Sequence, residues 1–520
     1  MISRVAELIE QLRREGIELW ADGEQLRYSA AHGAMTEKRK ASIRACRNDI
    51  LTFLRSKQND SPVSPEIADA QVVWLPTDPQ MAMAVDTDAF NSELVFYWPD
   101  AVDAEVLRRA IAKLMKRHGI LRTAYVHDEA QRLWAVTRRE VEVPLTVLDV
   151  RSAAPEERET VVKSARLAAV ETPFDMSVAP LMRIILARLG EEESLFSAIF
   201  HHSIFDGAST PVFLTELAAF YKAERTGVEA QLPPLPLEYW DFANARRQWL
   251  ASDRVERHID YWRKKLEGAR YIFWLPKDRK SPVGDVARLP LVRGEVSGSV
   301  VGALREIAQH EHCTMFVVAA TALYVVLVRW SRRTDVATWI CHTGRSQPEL
   351  QRLIGYFVSF WPLRVKLNGE PTFAQALRLV RDAYHEALPH ADITVQRLRP
   401  VLERIREGHF YPSIMFNYVS MMDPIESPAT SVPPRRPAPI LDRGRLSAGS
   451  HLALIFNAWE TRERINWELK HAASLFEEAT VERVSASFAE VLETIPRRPN
   501  APITELLTQE IGDSDCPVPP

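Results

Sequence analysis

The chain has 520 residues, 46% of them hydrophobic and 26% charged, and a net charge of −4, which is too long for one hydrophobic core and ordinary for a soluble globular protein. Nothing in that balance points to nucleic acid. Cys46, Cys313, Cys341 and Cys516 show neither CxxC spacing nor the density of a disulfide scaffold, and no apolar run is long enough for a bilayer, so a cytoplasmic chain without membrane contact is expected.

Ile2, Val5, Leu8, Ile9 and Leu12 recur at helical spacing, and Gly16 stops the pattern. Strand-like residues 17–21 and 24–28 flank Asp22-Gly23, a pair suited to a tight hairpin turn. From Thr36 to Leu54 the period is helical again, with a basic start at Lys38, Arg39 and Lys40. Residues 1–57 are therefore expected to form a small helix, hairpin, helix unit. Lys and Arg exceed Asp and Glu there by three, leaving −7 for the remainder. Its hairpin edge suits an acidic peptide by strand addition, and a merely solvated helix face is the alternative. A polar, proline-bearing linker is expected over 58–70.

From about residue 71, strand-like runs at 92–97 and 195–201 alternate with helical ones at 104–118 and 155–170, and a second such series starts near 256. The pattern predicts an α/β body in two lobes, with 315–328 a buried helix and the proline-rich 433–439 a loop.

Residues 195–201 alternate as a strand ending at His201-His202. After Gly207 the period changes: Ser209 and Thr210 are candidate N-caps, Pro211 the first helical residue, and Val212, Leu214, Leu217, Phe220 and Tyr221 follow at helical spacing. His201-His202-Ser203-Ile204-Phe205-Asp206-Gly207 is thus a strand-to-helix turn. There a histidine can face an opening while an aspartate four residues later fixes the backbone. An imidazole of ordinary pKa, ~6.5, accepts a proton from a nucleophile at neutral pH, and a placed general base contributes ~10²- to 10⁴-fold. A satisfied structural His-x-x-x-Asp pair is the competing reading.

This turn resembles the HHxxxDG signature of the condensation domains of nonribosomal peptide synthetases at every fixed position. Companion segments follow in order: Arg117-His118-Gly119-Ile120-Leu121-Arg122-Thr123 resembles RHExLRT, and Tyr239-Trp240-Asp241-Phe242-Ala243 resembles YxDYA. Gly344-Arg345 takes the place of a GR pair, Ile354-Gly355-Tyr356-Phe357-Val358 resembles IGxFVN, and 467–476 with 502–507 resemble the family's C-terminal end. The resemblance implies an α/β fold of two chloramphenicol-acetyltransferase-like lobes in a V with a tunnel between them. The N-terminal lobe would span 71–255, the C-terminal lobe 256–508 and a tail 509–520.

Residues 1–57 resemble the small β-hairpin docking domains, α-β-β-α in order, that capture a short linear motif at the C-terminus of an upstream synthase subunit. Leu19, Trp20, Arg27 and Tyr28 on the hairpin, with Lys38, Arg39 and Lys40, are then the contact candidates.

The resemblance further implies an acyltransferase that binds no cofactor itself and takes its donor from the 4′-phosphopantetheine of a carrier protein. His202 would act on the acceptor nucleophile or steady the tetrahedral intermediate, with His201 packed behind it. Asp206 would pair with Arg345, Gly207 would let the thioester approach the backbone, and Arg122 would support the site from its motif. Two motifs depart from the family pattern: SxAQxRLW is reduced to Pro76-Thr77-Asp78-Pro79-Gln80, and HQDVPFE appears as His390-Ala391-Asp392-Ile393-Thr394. Atypical acceptor or lobe-contact geometry is therefore expected. No adenylation or carrier segment follows the body, so a freestanding enzyme is expected, similar to the chain-releasing one of the enacyloxin pathway. It would move a polyketide-type acyl chain onto a free alcohol or amine.

Among rival readings, a coenzyme-A-dependent HxxxD acyltransferase would also use His202 and Asp206, but DFGWG is absent. An epimerisation domain shares HHxxxDG but normally follows a carrier domain. A piece of a larger synthetase and an inactive carrier-binding scaffold are the remaining alternatives. No GxSxG supports a thioesterase. His310-Glu311-His312-Cys313 lacks metal-ligand spacing and reads as a solvated loop or helix end, so no metal is expected. Donor, acceptor, stereochemistry and bond type depend on pocket residues far apart in sequence.

Overall fold

The computed structural model describes residues 17–22, 25–30, 36, 39, 40, 43, 47, 50, 70–85, 91–98, 100–269, 275–278, 290–406, 413–420, 436–437 and 452–507. Two compact units divide the chain between Ala70 and Gln71.

In the first unit β1 (Ile17–Asp22) and β2 (Gln25–Ala30) pair antiparallel, from Ile17↔Ala30 to Asp22↔Gln25. Asp22 is thus the last strand residue rather than the first turn residue, because a two-residue connection lets it close the ladder with Gln25. The register sets Leu19 opposite Tyr28 and Trp20 opposite Arg27. Positions 39, 40, 43, 47 and 50 are helical as expected, with Ile43 and Ile50 buried, and Thr36 Oγ1 accepts from the Arg39 amide at 3.4 Å. The expected helix over 2–12, Lys38, and the linker up to 69 lie outside the described residues. Ala70 opens a strand instead of closing the linker.

The first lobe is built from β3 (Ala70–Trp74), α1 (Asp78–Val85), β4 (Asn91–Trp98), α2 (Ala104–Arg117), β5 (Thr123–His127), β6 (Leu133–Arg138), β7 (Leu145–Asp149), α3 (Pro155–Glu171), β8 (Met182–Arg188), β9 (Ser194–His201), α4 (Ser209–Thr226) and α5 (Tyr239–Leu250). The second follows with α6 (Arg254–Lys265), β10 (Leu291–Ser297), α7 (Ser299–His310), α8 (Met315–Ser331), β11 (Asp335–His342), β12 (Ser359–Lys366), α9 (Phe373–Ala387), α10 (Val395–Arg406), β13 (Ser413–Ser420), β14 (Arg436–Pro437), β15 (Leu452–Glu460), β16 (Arg464–His471) and α11 (Glu478–Thr494).

Local sequence explains these elements. In α2 the buried residues Val106, Leu107, Ala110, Ile111 and Leu114 form one apolar stripe, and Asp103 caps the helix by accepting from the amides of Glu105 and Val106 at 2.8 and 3.0 Å, a cap typically stabilising by ~1 kcal/mol. The apolar α8 is buried on nearly every side, as a core helix must be. No single described helix is long and apolar enough to cross a membrane.

The first lobe holds a five-stranded sheet, order β14-β4-β9-β8-β7, and a three-stranded one, β3-β6-β5. The second holds a six-stranded sheet, β10-β16-β15-β13-β11-β12. Each lobe has its own core, and the switch falls between Ala243 and Leu250, inside α5. Two segments cross back. Leu350, Leu353, Ile354 and Phe357 pack into the first core, and β14, from the proline-rich stretch expected to be a loop, pairs with Phe96 and Tyr97 of β4.

Candidate active site

All eight residues of β9 are buried because the strand lies between β4 and β8. It ends at His201, the chain makes a short 3₁₀ turn over His202–Ile204, and α4 starts at Ser209 with Ala208 as N-cap. The helix therefore starts earlier than the Ser209 and Thr210 cap pattern predicts, and Pro211 falls in its third position. The physical reason is Asp206, which performs the capping: its Oδ1 accepts from Ser209 N at 2.8 Å and from Ser209 Oγ at 2.7 Å.

His202 Nδ1 lies 2.6 Å from the carbonyl oxygen of Phe205. A carbonyl only accepts, so Nδ1 carries the proton and the neutral ring keeps its lone pair on Nε2. Nε2 has no hydrogen-bond partner among the described residues. The half-buried ring meets Tyr356 edge-on at 5.1 Å. His201 is fully buried behind it, with Nδ1 2.8 Å from Ser203 Oγ and the ring edge-on to Phe174. Burial, and after it the neighbouring His202 imidazole, push the His201 imidazole down to about 4. Gly207 is exposed, and a Cβ there would meet nothing within 4 Å, so neither packing nor φ demands glycine and the space in front of its backbone stays open.

Asp206 is locked in place. Arg345 Nη2 donates to Oδ1 at 2.9 Å and Phe357 N to Oδ2 at 3.1 Å, in addition to the two bonds from Ser209. Arg345 also donates to the carbonyls of Leu350 and Leu353 at 2.7 and 2.6 Å and lies over the Phe357 ring. Gly344 has φ +66°, and a Cβ there would clash with the Phe357 carbonyl, so the Gly-Arg pair needs its glycine on both counts. Tyr239, at the start of α5, donates to the Tyr356 carbonyl. The HHxxxDG, YxDYA-like, Gly-Arg and IGxFVN-like segments thus converge on one turn, which the sequence pattern could list but not assemble.

Arg122 is placed differently. Its guanidinium donates to the carbonyls of Met115, Arg138 and Arg139, so its hydrogen bonds brace the α2 to β5 corner. His118 and Arg117 of the same motif hold Glu216 of α4 at 2.8 and 3.0 Å. Glu311 is buried rather than solvated, paired with Arg378 at 2.8 Å, because α9 packs beside the end of α7.

Two supporting residues lie outside the set that the sequence pattern marks as the site. Gln80 is fully buried and donates to Ser203 O at 2.9 Å and to Tyr125 Oη at 3.0 Å; Tyr125 Oη donates to the same carbonyl at 3.2 Å. Together they fix the backbone beside His202. Gln80 is what remains of the reduced opening motif. The other departing motif meets it: Thr394 Oγ1 donates to Asp78 Oδ2 at 3.1 Å, and Asp392 pairs with Arg246 at 3.0 Å.

Residues 81–512 match the Condensation domain family, and residues 5–56 match the TubC N-terminal docking domain. The chain belongs to the condensation-domain family. Such domains are acyltransferases that form amide or ester bonds and act on carrier-bound substrates. A linear gramicidin synthase of Brevibacillus parabrevis is 31% identical over 408 residues, 78% of this chain but 8% of that protein. Phosphinothricin tripeptide synthetase PhsC of Streptomyces viridochromogenes is 32% identical over 57% of this chain and 27% of its own length. The chain therefore spans only a small part of these curated relatives. In fold, the cyclization-docking bidomain of EpoB from Sorangium cellulosum covers 95% of this chain and 99% of its own at a TM-score of 0.69 and 19% identity. The tyrocidine synthetase epimerization domain TycB3(E) reaches a TM-score of 0.71 at 18% identity, covering 82% and 98%.

Proposed function

We propose that this condensation domain moves an acyl chain from the phosphopantetheine thioester of a carrier protein onto an acceptor alcohol or amine, with His202 as the base. The observation that carries the reading is the Nδ1–H bond to the Phe205 carbonyl at 2.6 Å, which leaves Nε2 as the proton acceptor. Nε2 takes the proton of the acceptor O–H or N–H while that atom attacks the thioester carbonyl. The tetrahedral intermediate collapses, the C–S bond breaks, and Nε2–H returns the proton to the departing thiolate. Asp206 and Arg345 hold the turn without touching the reacting atoms, and Gly207 leaves room for the pantetheine arm.

When the acceptor is a free small molecule, the ester or amide leaves the carrier and the step releases the chain. In this proposal the paired hairpin positions Leu19 with Tyr28 and Trp20 with Arg27, together with Lys38, Arg39 and Lys40, receive the C-terminal motif of the upstream synthase protein that brings the donor. Incubation of the protein with an acyl-loaded carrier and a panel of alcohols and amines, read by intact mass spectrometry, tests the reading. Loss of the acyl group from the carrier together with an acyl ester or amide of the acceptor is the expected result. A carrier that stays loaded, or that loses its acyl group only to water, contradicts it.

A further inference from the structure

The six-stranded sheet buries one face against helices, where Phe456 and Trp467 meet Phe488 of α11 edge-on at 4.7 and 5.0 Å. Side chains alternate along a strand, so register fixes what the other face carries. Asn417 pairs with Asn457, Asn457 with Glu468, and Glu468 with Arg293, which sets a polar row across four neighbouring strands. On β11, Trp339 and Ile340 pair with Met415 and Phe416, so the next position, Cys341, continues the row beside Asn417.

Successive members are joined. Asn417 Nδ2 donates to Asn457 Oδ1 at 3.5 Å, Asn457 Nδ2 donates to Glu468 Oε1 at 3.4 Å, and Lys470 Nζ lies 3.5 Å from that same oxygen. The row on one side holds Met415 and Ile455, and the row on the other holds Trp459 paired with Asn466. On β13 and β15 a hydrogen-bonding track thus runs past apolar shoulders, which give way to Lys470 and Asn466 on β16. It is not an open surface, because Asn417 and Asn457 are half-buried and Glu468 is 9% exposed.

The near end reaches the candidate site. Cys341 lies at the end of β11, four residues before Arg345, which holds Asp206 at 2.9 Å, and it pairs with Phe360 of β12, a strand that opens three residues after Tyr356, the ring that lies against His202.

We propose that this row is the binding track for an extended substrate chain bearing neutral hydroxyl or amide groups on an apolar skeleton, running outward from His202 across β11, β13, β15 and β16. The inference rests on the acyl-transfer reading above. Carboxamides both donate and accept, so they match hydroxyl and amide groups in either orientation. A pure hydrocarbon would leave the second Nδ2 proton of each carboxamide without a partner once water is displaced. Neighbouring strands lie ~5 Å apart, which matches polar groups on roughly every fourth chain atom.

The test uses matched substrate pairs, one member hydroxylated and one deoxygenated, in two arms: the donor varied with a fixed acceptor, then the acceptor varied with a fixed donor. Values of kcat/KM are compared for wild type, Asn417→Leu, Asn457→Leu and Asn457→Ser, with melting temperatures measured alongside. In one arm wild type should favour the hydroxylated member, and each leucine should narrow that preference about tenfold while turnover of the deoxygenated member is kept. The serine variant, which restores a hydroxyl to the row, should recover part of it. The arm that responds identifies which substrate lies on the track. An unchanged preference in both arms, with turnover still dependent on His202, overturns the track and leaves acyl transfer standing. Loss of both members in a leucine variant whose melting temperature also drops, with Asn457→Ser as selective as wild type, overturns it too. If wild type acylates no acceptor at all, the acyl-transfer reading falls and takes the track with it.

Discussion

Replacing Asp206 with alanine removes a carboxylate that accepts from Ser209 N, Ser209 Oγ, Arg345 Nη2 and Phe357 N at 2.7 to 3.1 Å. The group left behind is Arg345, whose side chain is 5% exposed and whose other bonds go to neutral acceptors, two backbone carbonyls and Ser209 Oγ. A buried charge stripped of its partner costs ~3–5 kcal/mol, a large share of the ~5–15 kcal/mol that holds a domain folded. Arg345→Met added to Asp206→Ala removes both charges together, so the double variant should regain ~1–3 kcal/mol against the sum of the single losses. Urea unfolding of the four proteins of this cycle at neutral pH measures both quantities. A loss below ~1 kcal/mol for Asp206→Ala, or strict additivity in the cycle, would refute the view that this pair holds the turn.

Two further outcomes follow from the same turn. His201 stays neutral down to about 4 in the folded chain and titrates near ~6.5 when unfolded. Its contribution is therefore complete above pH ~6.5 and is lost as pH falls towards 4, on the order of 3 kcal/mol in all. His201→Asn, which keeps an acceptor for the Ser203 amide, should flatten the stability curve in that window, and an unchanged acid slope counts against the assignment. Gln80→Glu retains size but cannot donate to Ser203 O, so single-turnover rates should fall more than the substrate concentration dependence changes, with ~1–3 kcal/mol lost in thermal or urea unfolding. Wild-type rates and stability in that variant would remove Gln80 from the support of His202.

The strand-to-helix turn is legible in the sequence because the apolar period changes between Phe200 and Val212, and both flanking elements are where that change puts them. The buried α8 is legible from its unbroken apolar run. Helix starts are less so: Ser209 looks like a cap by type, yet a carboxylate three residues earlier takes that role. Gln80 and Ser203 are 123 residues apart, and only the packing of α1 against the turn makes them partners. Likewise the crossing of 350–357 into the first core and of β14 to β4 leaves no local mark, since neither depends on the residues adjacent in the chain. The polar row on the second sheet is invisible for the same reason, as Asn417, Asn457 and Glu468 align only once strand register is set.

The central claim is that the free Nε2 of His202 takes the acceptor's proton. Single-turnover acyl transfer from a loaded carrier to an alcohol, compared between wild type and His202→Ala at equal melting temperature, addresses it most directly. A loss of ~10²- to 10⁴-fold is predicted, greater for an alcohol than for an amine that attacks in its neutral form. Retention of most of the wild-type rate with the alcohol would contradict it.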